Sequence, residues 1–253
     1  MTGPLLDVVD LRQSFGSIRA LDDASVTVER GELVGMIGPN GAGKTTLFDC
    51  VSGVRTPDAG TVRLDGADVT GAAPHDLARR GMVRTFQRTR ELSTMTVGDN
   101  VLLPMPDHPG ERAYHALLRT AASAEREDEA RERADELLDV FDLDGMADEY
   151  AATLSGGQRK LLELARALML DPDLLLLDEP FAGVNPSLTT DIAAHIRALN
   201  DDGTTLLIIE HELDTLTDLV DRLVVLANGS VLATGTPDEV LSDQRVVDAY
   251  LGE

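Results

Sequence analysis

The run Leu33 to Ile37 is wholly apolar and passes directly into Gly38-Pro39-Asn40-Gly41-Ala42-Gly43-Lys44-Thr45. Five apolar residues bounded by a glycine-rich turn read as a short buried strand, and the eight that follow fit G-x-x-x-x-G-K-[ST]. That pattern has meaning only between a strand and a helix. Both are expected here, because residues 43–52 supply a helix. The glycines let backbone N–H groups turn inward toward phosphate oxygens, and the helix N-terminus adds positive potential. Such a junction commits the chain to an α/β fold with an anion cradle at the end of one strand. Residues Gly38, Pro39, Asn40, Gly41, Ala42 and Gly43 form the expected cradle. Lys44 would reach the β and γ phosphates of a nucleoside triphosphate, the Thr45 hydroxyl would bind Mg²⁺, and Thr46 would add a phosphate contact.

The rest of the pattern agrees. Leu174 to Leu177, Thr205 to Ile209 and Arg222 to Leu226 are short, largely apolar runs, as expected for strands covered on both faces in a parallel sheet. Leu5 to Leu11, Ile18 to Glu29 with its alternating Ala24, Val26 and Val28, and Thr61 to Leu64 closed by Asp65-Gly66 predict an antiparallel side sheet. Asn228-Gly229 predicts a tight hairpin into Val231 to Ala233. Helices are expected at Ser187 to Asn200, Glu212 to Thr217, Pro237 to Leu241 and Gln244 to Leu251. Between about Thr96 and Leu170 strand signals nearly vanish. The charged run Glu125 to Glu136 predicts a solvated helix whose apolar side is Leu137, Leu138 and Phe141. The expectation is one domain: an α/β core from about 1–87 and 171–253, with a helical subdomain inserted at about 88–170.

Charge excludes a class of partner. Of 253 residues, 45 are Asp or Glu and 22 are Lys or Arg, a net charge of −23. Lys44 and Lys160 are the only lysines. A surface this acidic repels nucleic acid, whose phosphates need clustered basic residues. Two sources of the acidity stay open: adaptation to a molar-salt cytoplasm that screens self-repulsion, or coding bias toward Arg and Asp. No run approaches the roughly 20 apolar residues of a membrane helix, and the N-terminus has no signal-peptide pattern. Cys50 is alone, so no internal disulfide is possible. These features predict a soluble, cytoplasmic chain.

Two further motifs carry chemistry. Leu174-Leu175-Leu176-Leu177-Asp178-Glu179-Pro180 delivers two carboxylates at a strand's C-terminal end, where α/β sheets place ligands. Asp178 suits a Mg²⁺ shell and Glu179 suits polarising an attacking water. Leu154-Ser155-Gly156-Gly157-Gln158 precedes a helix running to about Leu170, so Ser155 reads as its N-cap and the glycines expose N–H groups for a second anion site.

Taken together and in this order, these motifs make the chain resemble the nucleotide-binding subunit of ABC transporters across essentially its whole length. Gly38 to Thr45 is similar to Walker A, Leu174 to Asp178 to Walker B, and Leu154 to Gln158 to the signature motif. The resemblance implies a P-loop NTPase core with an inserted α-helical subdomain, ATP and Mg²⁺ as ligands, and ATPase activity. It makes Glu179 the catalytic glutamate and Gln87, in Arg84-Thr85-Phe86-Gln87, the glutamine that senses Mg²⁺ and the transmembrane partner. His211 becomes the switch histidine at the γ-phosphate, and Phe15 the aromatic that stacks on adenine. It also implies a head-to-tail dimer with a second copy or a paralogue, in which Ser155, Gly156, Gly157 and Gln158 of one subunit cap ATP held by the other. His195, in the stripe Leu188, Ile192, His195 and Leu199, is expected at the edge of the core instead.

Gly81 to Gln87, Met95-Thr96-Val97 and the ending Gly235-Thr236-Pro237 through Ala249-Tyr250-Leu251-Gly252 resemble the ATPase subunits of branched-chain amino acid importers. That branch works with membrane-embedded permease subunits on the cytoplasmic face and, indirectly, with an extracytoplasmic solute-binding protein. One departure is plain: Asn185, in Phe181-Ala182-Gly183-Val184-Asn185-Pro186, stands where the family often has aspartate. Other importers, of urea, amides or other amino acids, stay open. So does a soluble ABC ATPase acting on nucleic acid or ribosomes, although the two ATPase halves, coiled coil, zinc cysteines or basic face usual there are not in this sequence.

Overall fold

Alternating buried and exposed positions along residues 6–28 build two long antiparallel strands, β1 (Leu6–Phe15) and β2 (Ile18–Val28), with Leu6, Val8, Leu11, Leu21, Ala24, Val26 and Val28 turned inward. The computed structural model describes residues 3–85, 92–104, 121–211 and 213–251. Next come the fully buried β3 (Leu33–Ile37), helix α1 (Lys44–Val51), β4 (Ala59–Leu64), β5 (Ala67–Asp68), α2 (Pro74–Ala78) and β6 (Met82–Arg84). Helices α3 (Val97–Leu102), α4 (Ala121–Val140) and α5 (Gly156–Leu168) follow. The chain then returns to β7 (Leu174–Asp178), α6 (Pro186–Asp201), β8 (Thr205–Ile209), α7 (Leu213–Leu219), β9 (Arg222–Ala227), β10 (Ser230–Gly235), α8 (Pro237–Leu241) and α9 (Gln244–Leu251).

Two sheets result. One is antiparallel, in the order β2-β1-β4-β5, and the other runs β10-β9-β3-β8-β7-β6. In the second, β9, β3, β8, β7 and β6 are parallel and only β10 is antiparallel. This α/β architecture, mostly parallel with an antiparallel side sheet, is the expected one. Helix α1 contributes Leu47, Phe48, Cys50 and Val51 to a core shared with Leu6, Val8 and Leu11 of the side sheet and Val34, Met36 and Leu176 of the main sheet. Burial of that apolar surface is the main source of stability for so acidic a chain.

The chain divides into two compact units. The first holds residues 1–87, 172–182 and 186–253 and every described strand; the second holds residues 88–171 and 183–185. Within the second, α3, α4 and α5 contact one another. Ala130, Ala134, Leu137, Leu138 and Phe141 form the buried stripe of α4 and its end, so the expected apolar side extends further toward the N-terminus through two alanines.

Some local features differ from the sequence expectation. Strand β1 continues to Phe15, because Gln13, 5% exposed, occupies an inward position where the alternation calls for an apolar residue. Strand β6 was not anticipated, since three residues are too few to show a period. His195 is half-buried at the edge of the core, as expected, although the buried positions of α6 centre on Ile192 and Ile196 and not on Leu188 and Leu199.

Cys50 lies on α1, 1% exposed, with its thiol pointing to Gln13 Oε1 at 3.9 Å. Burial pushes the thiol up to about 11 from 9.0, against a smaller opposing pull from Arg55. Its contribution to folding is therefore complete below about pH 9 and is lost as pH rises through about 11. The expected outcome is that a maleimide at pH 8 labels Cys50 only as fast as the core opens, with mass-detected labelling across a denaturant series following global unfolding. Prompt labelling of the native chain would contradict this burial.

Candidate functional site

The parallel order β3-β8-β7 sends three loops off the same edge of the sheet, where ligands of α/β folds collect. The first leaves β3. Gly38 has φ +154, and a Cβ there would fall 2.0 Å from the carbonyl oxygen of Leu226; Gly43 has φ +105, and a Cβ would fall 2.5 Å from that of Ala20. No L side chain fits either place, which accounts for the glycines that bracket the loop. Gly43 is also the N-cap of α1 and, among the described residues, no side chain caps this helix start. A helix start without a side-chain cap is a place where a ligand can take that role. Lys44, only 5% exposed, folds back and donates to the carbonyls of Gly38 (2.5 Å) and Pro39 (3.1 Å).

The second and third loops leave β7 and β8. Pairing of Asp178 with Ile209, and the bond from Glu179 N to Ile209 O (3.0 Å), set Glu179 beside the residues that follow β8. His211 Nε2 lies 3.0 Å from Glu179 Oε1. Glu179 has φ +51, a left-handed conformation that costs a non-glycine residue on the order of 1 kcal/mol and is retained where the surroundings enforce it. Glu210, which the sequence reading passed over, is a second buried carboxylate. It accepts from Phe181 N (2.8 Å) and His211 N (3.0 Å), and so fastens the two loops together.

The loops border an open cavity of about 400 Å³. Its walls are residues 40–46 of the glycine-rich loop and α1, Glu179 and His211, with Phe15 and Ala20 from the side sheet. Phe15 is 42% exposed, and the guanidinium of Arg55 lies 4.5 Å from its ring centroid, so one face of the ring is backed by a cation. Asp178 sits behind the wall, 1% exposed. Its Oδ2 accepts from Arg84 Nη2 at 2.7 Å, its backbone N–H donates to Thr85 Oγ1 at 3.4 Å, and its Oδ1 is buried with no partner among the described residues. Arg84 was also missed by sequence reasoning: its carboxylate partners lie 35 and 94 residues away in the chain, so no local spacing reveals it.

In the second unit, Ser155 caps α5 as expected. Its Oγ accepts from Gln158 N (3.3 Å), and Gln158 Oε1 accepts from Ser155 N (2.9 Å), a complete capping box. Neither bond uses the hydroxyl hydrogen of Ser155, and a Cβ on Gly156 would meet nothing within 4 Å, so this helix start is open. Asn185 is exposed. Gln87 lies outside the described residues. No group of His, Cys, Asp and Glu among the described residues forms an all-protein metal cage, and no described helix is long and apolar enough to cross a membrane.

With this geometry in place, likeness to known proteins is specific. The family model described as ABC transporter matches residues 21–182, and one described as Branched-chain amino acid ATP-binding cassette transporter matches residues 230–253. The chain is 41% identical to the high-affinity branched-chain amino acid transport ATP-binding protein BraF of Pseudomonas aeruginosa, covering 100% of both chains. A solved structure of the ADP conformation of an ATP-binding cassette of an ABC transporter superposes with a TM-score of 0.86, at 39% identity and with 100% of both chains covered. A dimeric cassette in a post-hydrolysis state, bound to ADP and Pi, superposes with a TM-score of 0.75 at 25% identity, covering 92% of this chain and 98% of that one. A phosphate loop, a Glu–His pair just past the neighbouring strands and full-length likeness to such cassettes together place the chain in the ABC transporter family, as an ATP-binding cassette ATPase.

Proposed function

We propose that the chain is the ATP-hydrolysing subunit of a branched-chain amino acid importer, working as a head-to-tail pair beneath membrane-embedded permease subunits. The observation that carries this reading is the convergence of an uncapped helix start, Lys44 and the Glu179–His211 pair on one cavity. The choice of cargo rests on what the relatives are named for and on the match at residues 230–253, because no pocket of this subunit would touch the solute.

The residues fit Mg²⁺. Asp178 Oδ1 is a buried carboxylate oxygen without a hydrogen-bond partner among the described residues and Thr45 stands on the cavity wall, so both offer hard oxygen donors. When bound, Mg²⁺ supplies charge neutralisation for the β and γ phosphates. The chain's own groups do the rest. Backbone N–H groups of residues 40–46 cradle the phosphates, with Lys44 adding a point charge and Thr46 a further donor. Phe15 presents its remaining face to adenine. Glu179 orients the attacking water and accepts its proton, while His211 senses the γ-phosphate. Gln87 links this chemistry to the permease.

The opposing copy completes the site. Its Ser155 hydroxyl and the open N–H groups at Gly156 and Gly157 meet the γ-phosphate from the other side, with Gln158 holding Ser155 in place. Each copy carries a formal charge of −23, so the nucleotide joins two bodies that otherwise repel, and its hydrolysis frees them. The helical unit (about 88–170 on the sequence reading) carries this cap and relays the separation to the permease, which an extracytoplasmic solute-binding protein supplies.

The test is reconstitution. Co-expressed with its permease subunits and sealed in vesicles holding Mg²⁺ and ATP on the cassette side, the chain should drive uptake of labelled leucine, isoleucine or valine in the presence of the binding protein. Sedimentation of the isolated chain should show pairing only when ATP is present. Uptake of urea or another amide in place of the three amino acids would overturn the cargo. Copurification of nucleic acid without permease would overturn the transport role.

A further inference from the structure

Behind the cavity lies a buried ion cluster that phosphate binding does not call on directly. The side chain of Arg84, at the end of β6, is 8% exposed. Its Nη1 donates to Asp49 Oδ1 (2.7 Å) on α1 and to Ser52 Oγ (2.9 Å) at the C-cap of that helix, and its Nη2 donates to Asp178 Oδ2 (2.7 Å) at the end of β7. The guanidinium carbon lies 5.6 Å from the Phe48 ring centroid. One cation thus serves two carboxylates on two different elements, and the cluster keeps one negative charge in excess. A buried carboxylate oxygen without a donor is costly, yet Asp178 Oδ1 is left in that condition while Oδ2 is satisfied.

We propose that Arg84 is a positioning residue that divides the oxygens of Asp178. It holds Oδ2, reserves Oδ1 for the divalent cation, and by its charge keeps that cation from binding before the nucleotide arrives. The proposal rests on the reading of Asp178 as a Mg²⁺ ligand. Geometry supplies the first half: the rigid guanidinium is anchored to Asp49 and Ser52 through Nη1 and holds Asp178 Oδ2 through Nη2, so the rotation of the Asp178 carboxylate is set by the fold and not by the ion. Electrostatics supplies the second. With Arg84 present, a bare divalent cation meets a cluster whose net charge, guanidinium included, is only −1. Phosphates entering the cradle bring the further negative charge that makes the site attractive. Remove Arg84 and the cluster becomes −2, enough to draw the cation without nucleotide.

The experiment titrates Mn²⁺ into the full chain, without nucleotide and with ADP, and reads free Mn²⁺ by electron paramagnetic resonance. The wild-type chain should bind Mn²⁺ weakly alone and tightly with ADP. Arg84→Gln should raise nucleotide-free Mn²⁺ affinity at least about tenfold and narrow the gap that ADP makes. Arg84→Lys, which keeps the charge and loses the fork, should stay near wild type without nucleotide. Asp49→Asn makes the cluster neutral and should weaken Mn²⁺ binding, a shift in the opposite direction that does not depend on Arg84→Gln folding. Role and reading separate cleanly. If Asp178→Ala leaves affinity for Mn²⁺ with ADP unchanged, Asp178 is not a ligand and the reading beneath the proposal fails. If Asp178→Ala weakens it while Arg84→Gln leaves nucleotide-free affinity unchanged or lower, or Asp49→Asn fails to weaken it, the proposal alone falls.

Discussion

Glu179→Gln is expected to lower ATP turnover by about 10² to 10⁴ while leaving ATP affinity within about threefold. The two side chains have the same shape, and the positive φ of residue 179 is held by backbone bonds that the substitution keeps: its N–H donates to Ile209 O (3.0 Å), and its carbonyl accepts from Ala182 N (3.2 Å). The amide oxygen of Gln can still face His211 Nε2, which lies 3.0 Å from the carboxylate in the native chain. What disappears is the group that takes a proton from water. Removing a negative charge from the wall of a phosphate cavity does not weaken nucleotide binding and slightly favours it, so affinity and turnover separate. An ATP-bound pair should then persist through sedimentation, because the cleavage that parts two like-charged copies no longer occurs. Steady-state phosphate release and equilibrium binding of a fluorescent ATP analogue check both halves. Turnover within threefold of wild type would remove Glu179 from the chemistry.

What could be read in advance was whatever depends on neighbours in the chain. The cradle at residues 38–46 needs only a strand, glycines and a helix in order, and Ser155 needs only Gln158 three residues on, so both were visible as patterns. The parallel sheet was visible because β3, β7, β8 and β9 are buried on both faces and leave continuous apolar runs. Arg84 shows the opposite case. It looks like a surface arginine until β6 pairs with β7 and brings it against Asp178, and α1 turns Asp49 and Ser52 toward it. Glu210 was hidden for a different reason: beside His211 it reads as one more acid in an acidic chain, and only its two backbone donors mark it as a fastener of loops. Arg55 behind Phe15 likewise has no signature, because a cation stacked on a ring is a product of strand and turn geometry.

Lys44→Ala should produce two separable losses. A hydrogen bond between charged partners contributes about 1.5–3 kcal/mol, so removing the ammonium from the triphosphate should weaken ATP binding by about 10- to 150-fold. Among the described residues that line the cavity Lys44 is the one Lys or Arg, and the chain as a whole carries −23, so no neighbouring wall residue substitutes for the missing charge. The second loss comes without nucleotide. Lys44 donates to the carbonyls of Gly38 and Pro39, and its removal strips that donor from the turn that shapes the cradle. Leaving such a buried acceptor unpaired costs about 1–3 kcal/mol, which in a chain of this size lowers Tm by about 2–4 °C per kcal/mol. Thermal melts with and without Mg²⁺ and ATP read both terms at once. At a nucleotide concentration 100 times the wild-type Kd, binding stabilises the native chain by about 2.7 kcal/mol, whereas a hundredfold weaker binder at that concentration gains only about 0.4 kcal/mol. The variant should therefore melt a few degrees lower at the start and lose most of the rise on adding ATP. Lys44→Met refills the volume without restoring a donor and should behave alike, which separates loss of charge from loss of packing. A variant whose Tm climbs with ATP as far as the wild type would show that the cradle holds phosphate without Lys44, and the charge assigned to it would have to come from the helix start alone.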